Sequence, residues 1–399
     1  MSNTMCVLPW MHLASHPNGG QSLCCRSNHT GAVSWARKPK SSDLQTFDNT
    51  PLVDMANSET FVRVREQMIG GERPRECEGC WKDEAAGIPS KREYENERWK
   101  HIIPELERTA VLSRPNYRYV ELRLGNVCNA ACVTCNSFSS SKWYADEVKI
   151  SKDLPWFKLR PMENFKWHDR QAFYDELTTL SNDVEEIYIN GGEPTLIKAH
   201  FSYLESLINS GQAAKVHLVY SLNMTGLPNR LTALWENFKR VTVNCSIDDI
   251  GDRNYYIRWP SVWDDTVHNL RKLDTIRTVE WHVTQTVSIY NIFNVDELDS
   301  WLRDNFDKST THNYVLYPEH LSLAAIPNDV KDQLRWKYRN AFNDDKRNEL
   351  MAKLDMPYRP ELTIQAKEFV EALDRSRNLD YKNYVPELEE VINANTNSD

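Results

Sequence analysis

The chain has 399 residues, 48 Lys and Arg against 57 Asp and Glu, a net charge of −9, and 40% hydrophobic and 26% charged residues. That length suffices for two or three domains with their own cores, the acidic balance argues against broad nucleic-acid binding, and no apolar run approaches the ~18–20 residues that span a bilayer. The opening Met1-Ser2-Asn3-Thr4-Met5-Cys6 lacks a basic stretch followed by an apolar one, so the expectation is a cytoplasmic chain without a signal peptide, in which nine cysteines serve as metal ligands more readily than as disulfides.

Residues 1–115 are irregular and hold Cys6, Cys24, Cys25, Cys77 and Cys80, with turn signals at Pro17-Asn18-Gly19-Gly20 and Gly70-Gly71 and a charged helical stretch over 81–108. From about residue 117 the pattern changes. Strand-like runs at Tyr119–Leu124, Glu186–Asn190, Val216–Leu222, Arg240–Ile247, Trp281–Val287 and Tyr314–Tyr317 alternate with helical patterns near 136–150, 196–210, 228–238, 261–276 and 294–306. Strands separated by helices predict parallel βα units with right-handed crossovers. The number of units falls short of a closed eight-fold barrel, so a partial (β/α)6 barrel is expected over residues 116–325. The stretch 151–182 is rich in Trp, Phe and His and reads as a lid, an extra helix or a surface-packed insertion. After 326 the chain is charged and helical, a C-terminal extension over 326–399 whose end, Asn393–Asp399, is polar and frayed. The many Trp and Tyr fill cores and seams, and some of them line a cavity.

The run Cys128-Asn129-Ala130-Ala131-Cys132-Val133-Thr134-Cys135 follows the strand Tyr119–Leu124. Cysteines spaced in this way fold three thiolates around one side of a 4Fe-4S cluster and leave one iron without a protein ligand, where a substrate can bind. A zinc site completed by a His is the alternative. A second motif, Gly191-Gly192-Glu193-Pro194, follows the strand Glu186–Asn190. Its glycines permit close approach of backbone to a ligand, Glu193 offers an acceptor to an ammonium, and Pro194 fixes the turn.

The two motifs in this order resemble the radical S-adenosylmethionine (SAM) superfamily. The resemblance implies a SAM-binding 4Fe-4S cluster on Cys128, Cys132 and Cys135, at the C-terminal end of the first barrel strand where chemistry sits in such folds. It implies reductive cleavage of SAM to a 5′-deoxyadenosyl radical, supplied with electrons by a donor of flavodoxin or ferredoxin type. It also implies that Gly191, Gly192, Glu193 and Pro194 bind the methionine part. Asn223, Ser246 and Arg258 are implied at the ribose and carboxylate, Arg because its fork binds both carboxylate oxygens, and Val287 against the adenine. Thr134 departs from the aromatic residue that relatives often carry before the third cysteine.

Cys6-Val7-Leu8-Pro9-Trp10, Asn18-Gly19-Gly20, Cys24-Cys25 and Cys77-Glu78-Gly79-Cys80-Trp81 resemble auxiliary-cluster modules of the SPASM and twitch type, here placed before the barrel. With them the resemblance, nearest to twitch-domain radical SAM proteins, spans residues 5–325. It implies an auxiliary iron–sulfur cluster, of 4Fe-4S type, on Cys6, Cys24, Cys77 and Cys80. Cys25 can replace Cys24 in that set, and a structural zinc knot uses the same ligands. Cys245, inside a strand, reads as core packing.

The expected function is radical chemistry on a peptide or protein side chain, with the auxiliary cluster transferring electrons or binding substrate. The alternatives are a radical SAM dehydrogenase or another transformation of a small carbohydrate or nucleotide-like molecule, and a non-catalytic iron–sulfur carrier. Asp249, Asp252 and Tyr255 share a loop at the reactive end, and the sequence does not choose a base among them.

Overall fold

A computed structural model describes residues 3–29, 32–106 and 108–394; residues 395–399 of the expected frayed end lie outside them. The fold is mixed α/β. Its strands are β1 (His12–Ser15), β2 (Gln21–Ser22), β3 (Tyr119–Arg123), β4 (Glu186–Asn190), β5 (His217–Leu222), β6 (Arg240–Ser246), β7 (Val279–Val287) and β8 (Thr310–Tyr314), in the order β2-β1-β3-β4-β5-β6-β7-β8. Among the described residues the order has two ends and does not close. β1 pairs antiparallel with β2 and parallel with β3; β3–β4, β4–β5 and β7–β8 are parallel.

The chain packs as two compact units, one of Met1–Asn126, Asn164–Tyr220 and Asn229–Val241, the other of Val127–Glu163, Ser221–Pro228 and Thr242–Asp399. In the first, β4 forms because Ile187 and Ile189 are fully buried, and it ends where Gly191 and Gly192 take positive φ of 78° and 52°. The strands β1 and β2 lie in the region expected to be irregular. His12, Leu13 and Ala14 are paired with Tyr119, Val120 and Glu121, a register that four residues of mixed polarity do not announce.

In the second unit, β7 buries Trp281, Val283, Gln285 and Val287 and turns the residues between them outward, the two-residue period of a strand. β8 runs over Thr310–Tyr314, not Tyr314–Tyr317. Thr310 and His312 supply its buried face, opposite Val283 and Gln285 of β7, while Leu316 and Tyr317 are 57% and 80% exposed beyond its end. The helix expected over 261–276 is present as Trp263–Asp274; an unexpected helix, Gly251–Ile257, precedes it, and Pro260 between them, with its ring and missing N–H, bars a continuous helix.

The C-terminal segment is part of this unit's core. Helix Pro360–Arg377 buries Leu362, Ala366, Phe369, Val370 and Leu373 in a cluster that includes Ala131, Val133, Trp143, Ile289 and Leu321. Each such Leu, Val or Phe contributes about 1.5–3 kcal/mol through burial. The helix starts with Pro360 at its first position and ends with Asn378 in the left-handed region at φ 54°, the usual stop signals. No helix among the described residues is long and apolar enough to cross a membrane.

Candidate functional site

The loop of Cys128, Cys132 and Cys135 lies in the second unit and is held through its backbone. The N–H groups of Ala131 and Val133 donate to the carbonyls of Trp259 and Ile257 at 2.7 and 2.8 Å. The carbonyls of Ala130, Ala131 and Cys132 accept from Ser140 Oγ (2.6 Å), Arg377 Nη2 (2.7 Å) and Trp143 Nε1 (2.8 Å). A turn bond from Cys135 N to the Cys132 carbonyl at 2.9 Å closes the loop. Satisfied backbone of this kind fixes where the thiols can stand.

The thiols are close enough to feel one another. Burial pushes Cys135 up to about 12, and the neighbouring Cys132 and Cys128 push in the same direction. Cys132 is raised by burial, with Arg258 opposing the shift and Asp248 adding to it. Arg258 is a half-buried cation of the site. Its Nη1 donates to Asp248 Oδ2 at 2.9 Å, and its Nε is buried without a partner. Burial alone would lower the Arg258 pKa; Cys132, Asp248 and Cys128 outweigh it and raise it. Asp248 is pinned in turn, its Oδ1 accepting from Thr286 N at 2.7 Å and its carbonyl from Gln285 Nε2 and Asn291 Nδ2 at 3.0 and 2.8 Å.

Asn223 joins the same loop. Its Nδ2 donates to Asn129 Oδ1 at 2.8 Å, and Asn129 Nδ2 donates to Thr225 Oγ1 at 2.8 Å. Asn223 Oδ1 accepts from both N and Oγ1 of Thr225, at 3.0 and 2.7 Å. Ser246 is half-buried at the end of β6. Val287 is fully buried in the core cluster with Ala131 and Val133. Of the candidate bases, Asp252 is exposed and Tyr255 half-buried, whereas Asp249 is fully buried. Burial raises Asp249 to about 7 against the pull of Arg253, whose Nε donates to Oδ1 at 2.8 Å; Oδ2 has no partner.

In the first unit, Gly191 is required by the chain itself. A Cβ there would stand 2.7 Å from the Cα of Arg123. The close approach at this motif is therefore to β3, in addition to any made to a ligand. Glu193 is 1% exposed, and its Oε1 accepts from the N and Oγ1 of Thr195 at 3.1 and 2.8 Å, across the turn that Pro194 opens.

The same unit gathers the N-terminal cysteines. Cys6, Cys24 and Cys80 each act on the half-buried Cys77, whose pKa partial burial and these neighbours raise together. Burial likewise pushes Cys6 up to about 12, with Cys80 adding to it and Arg92 opposing. Cys25 stands apart. Apart from burial, its surroundings are Glu121, Lys91, Arg123 and Glu95, and it is exposed. Cys77 and Cys80 open the helix Glu78–Ala85. That helix is braced by Arg92, whose Nε and Nη2 fork Glu84 at 2.8 and 2.9 Å and whose Nη1 donates to the carbonyl of Met5 beside Cys6 at 2.9 Å. Cys245 is fully buried in β6, as expected.

By donor chemistry thiolates suit iron–sulfur clusters, and the thiols stand in two groups, three on one loop beside the half-buried Arg258 and four N-terminal ones that act on one another near Arg92 and Lys91. Among the described residues no group of three His, Cys, Asp or Glu side chains converges as a site for one metal ion. The sequence motifs pointed to the cysteines, Arg258 and Asn223. They did not point to Asn129, although it lies inside the cysteine run, nor to Ser140, Trp143, Asp146 and Arg377, which no local pattern marks.

No family model matches the sequence, and no curated protein matches it. Among solved structures, the chain is similar to native anSMEcpe with bound AdoMet (16% identity, 56% of this chain, 60% of that one, TM-score 0.35). It is similar to Streptococcus suis SuiB bound to precursor peptide SuiA (12%, 82% and 64%, TM-score 0.36). It is also similar to TYW1 with a lysine-pyruvate adduct bound (15%, 58% and 78%, TM-score 0.31). The chain spans less than two thirds of the length of anSMEcpe and of SuiB. It is by its two motifs and their order that this α/β chain resembles the radical SAM superfamily.

Proposed function

We propose that the chain is a radical SAM enzyme acting on a peptide or protein side chain. Cys128, Cys132 and Cys135 would hold the SAM-binding 4Fe-4S cluster, and Cys6, Cys24, Cys77 and Cys80 an auxiliary cluster that binds substrate or takes up an electron. When bound, the first cluster supplies the electron that splits the sulfonium carbon–sulfur bond, giving a 5′-deoxyadenosyl radical that abstracts hydrogen. The single observation behind this reading is the placement of a half-buried, Asp248-paired Arg258 beside Cys132 and Cys128. A cation there offsets the negative charge of a thiolate-ligated cluster and stands within reach of an anionic group docked at it.

The chain's own residues divide the remaining work. Ser140, Trp143 and Arg377 hold the carbonyls of the loop that carries the three thiols. Asn223 and Thr225 fix Asn129 between the first two cysteines. Glu193, buried and with one oxygen committed to its own turn, presents a carboxylate suited to an ammonium. Cys24 is favoured over Cys25 as the fourth auxiliary ligand because Cys24, with Cys6 and Cys80, surrounds Cys77. An external flavodoxin- or ferredoxin-type donor and a cytoplasmic setting complete the proposal.

Anaerobic purification followed by iron, sulfide and zinc analysis and EPR spectroscopy tests it. The expected result is a reduced 4Fe-4S signal that changes shape when SAM is added, as an open iron requires. A protein with zinc alone, or a cluster whose signal ignores SAM, contradicts it.

A further inference from the structure

The backbone sets Arg258 beside the cysteine run. The carbonyls of Ile257 and Trp259 accept from the N–H groups of Val133 and Ala131, so Arg258 and Cys132 each stand between the same two bonds. That pairing fixes the Cα of Arg258 but not its guanidinium, which a long side chain with several rotatable bonds can swing through many rotamers. The restraint on the guanidinium is Asp248, ten residues earlier, whose Oδ2 accepts from Nη1 at 2.9 Å.

Asp248 can hold the cation because it is itself immobilised. Its side chain is 1% exposed. Its Oδ1 accepts from Thr286 N, and its carbonyl from Gln285 Nε2 and Asn291 Nδ2. Its N–H donates to Asn254 Oδ1 at 3.2 Å, and the Asn254 carbonyl accepts from Arg258 N at 2.8 Å, which ties the two ends of the turn together. The two carboxylate oxygens therefore have separate duties, one on β7 and one on Arg258. The Arg258 side chain keeps 11% of its surface. Its Nε is enclosed and its Nη1 is taken, whereas Nη2 is neither enclosed nor paired among the described residues. Because the guanidinium is planar and rigid, the direction imposed at Nη1 is carried over to Nη2, a donor left for a second anion.

We propose that Asp248 is a positioning residue: through Nη1 it aims Arg258 so that Nη2 meets the carboxylate of SAM. That the anion is SAM rests on the function proposed above; the coupling of Asp248 to Arg258 does not. The role calls for a carboxylate. An Asn at this position has one side-chain oxygen for two donors, Thr286 N and Arg258 Nη1, and turns its NH2 toward one of them.

The test is a calorimetric titration of the anaerobically prepared, cluster-loaded full chain, without reductant, with SAM and with decarboxylated SAM, which keeps the sulfonium and the amine and lacks the carboxylate. The parent should prefer SAM. Asp248→Asn should weaken SAM about ten- to hundredfold, the range of one hydrogen bond to a charged group, leave the decarboxylated analogue nearly as before, and so narrow the preference. Arg258→Lys keeps a cation for Asp248 but has no second arm; it should narrow the preference similarly, and it supplies the test should Asp248→Asn fail to fold. In the double variant the two losses should not add, because Asp248 acts through Arg258. Iron content and the EPR signal of the reduced, SAM-free protein should match the parent in every variant, which a disrupted cysteine loop would not allow. A preference unchanged in Asp248→Asn or in Arg258→Lys, an equal loss for both ligands, or losses that add in the double variant overturns the positioning role. A parent that binds SAM regardless of residue 248 sinks this role alone; a cluster-loaded parent that binds neither compound sinks the enzyme reading and this role with it.

Discussion

Arg377 donates a 2.7 Å hydrogen bond to the carbonyl of Ala131, between Cys128 and Cys132, across a sequence separation of 246 residues. The same guanidinium pairs with Asp146 through Nε at 2.9 Å and lies over the rings of Trp143 and Trp259, 4.8 Å from each centroid. Both members of the ion pair are buried, the Arg377 side chain 2% and the Asp146 side chain 7% exposed. The C-terminal helix thus braces the cysteine loop from behind.

Arg377→Met should therefore cost more than its packing. It strands Asp146 in the interior, a loss of about 3–5 kcal/mol when one partner of a buried pair is removed. Thermal unfolding of the metal-free and cluster-loaded protein should show a lower Tm in both, and iron analysis should show poorer retention. Arg377→Lys keeps the charge but not the fork and should fall between. A variant as stable and as iron-rich as the parent would contradict the bracing role.

The N-terminal tetrad predicts an asymmetry between adjacent cysteines. Cys24→Ser should lower iron from about eight to about four per chain, and Cys25→Ser should leave it unchanged. Uptake at this site must expel protons from thiols that burial holds protonated, Cys6 up to about 12. Apparent affinity should then rise as pH rises through the range below that value. Competition titrations with a chelator at several pH values measure it; an affinity flat in pH, or equal iron loss in the two variants, counts against the tetrad.

At Gly191 the chain tolerates no side chain. Positive φ and a Cβ position 2.7 Å from Arg123 Cα mean that Gly191→Ala must move backbone on β3 or β4. A loss of about 1–3 kcal/mol is expected, read as a lower denaturation midpoint without SAM present. An unchanged midpoint would show that the turn relaxes freely.

Asp249 predicts a pH effect of definite sign. Its folded pKa, raised by burial to about 7, lies above the unfolded carboxylate value of about 3.9. The folded state therefore holds a proton that the unfolded state has released between these values, and stability from this group is lost as pH rises through the window. Relative to Asp249→Asn, the parent should lose Tm from pH 4 to 7. A parent that gains Tm relative to the variant over that span would reverse the assignment.

The cysteine run and the Gly-Gly-Glu-Pro turn were legible as local patterns set after short, largely buried apolar strands, β3 and β4. The end of β8 was not: the apolar composition of Val315–Tyr317 imitates a strand, while pairing with β7 stabilises the more polar Thr310–Asn313. β1 escaped because its register with β3 is made by a partner more than a hundred residues away in sequence. For the same reason Arg377 and Asp146, which meet only through tertiary packing, leave no mark in their own neighbourhoods. Val287, read at the adenine, stands at the end of β7 in the buried cluster with Ala131 and Val133.

The most direct measurement is the release of 5′-deoxyadenosine by anaerobic, iron-loaded protein given SAM and dithionite. The parent chain should release it and Cys132→Ala, folded by circular dichroism, should release none. Iron-loaded parent protein that leaves SAM whole under strong reductant would contradict the assignment of Cys128, Cys132 and Cys135 as ligands of a cluster with an open iron.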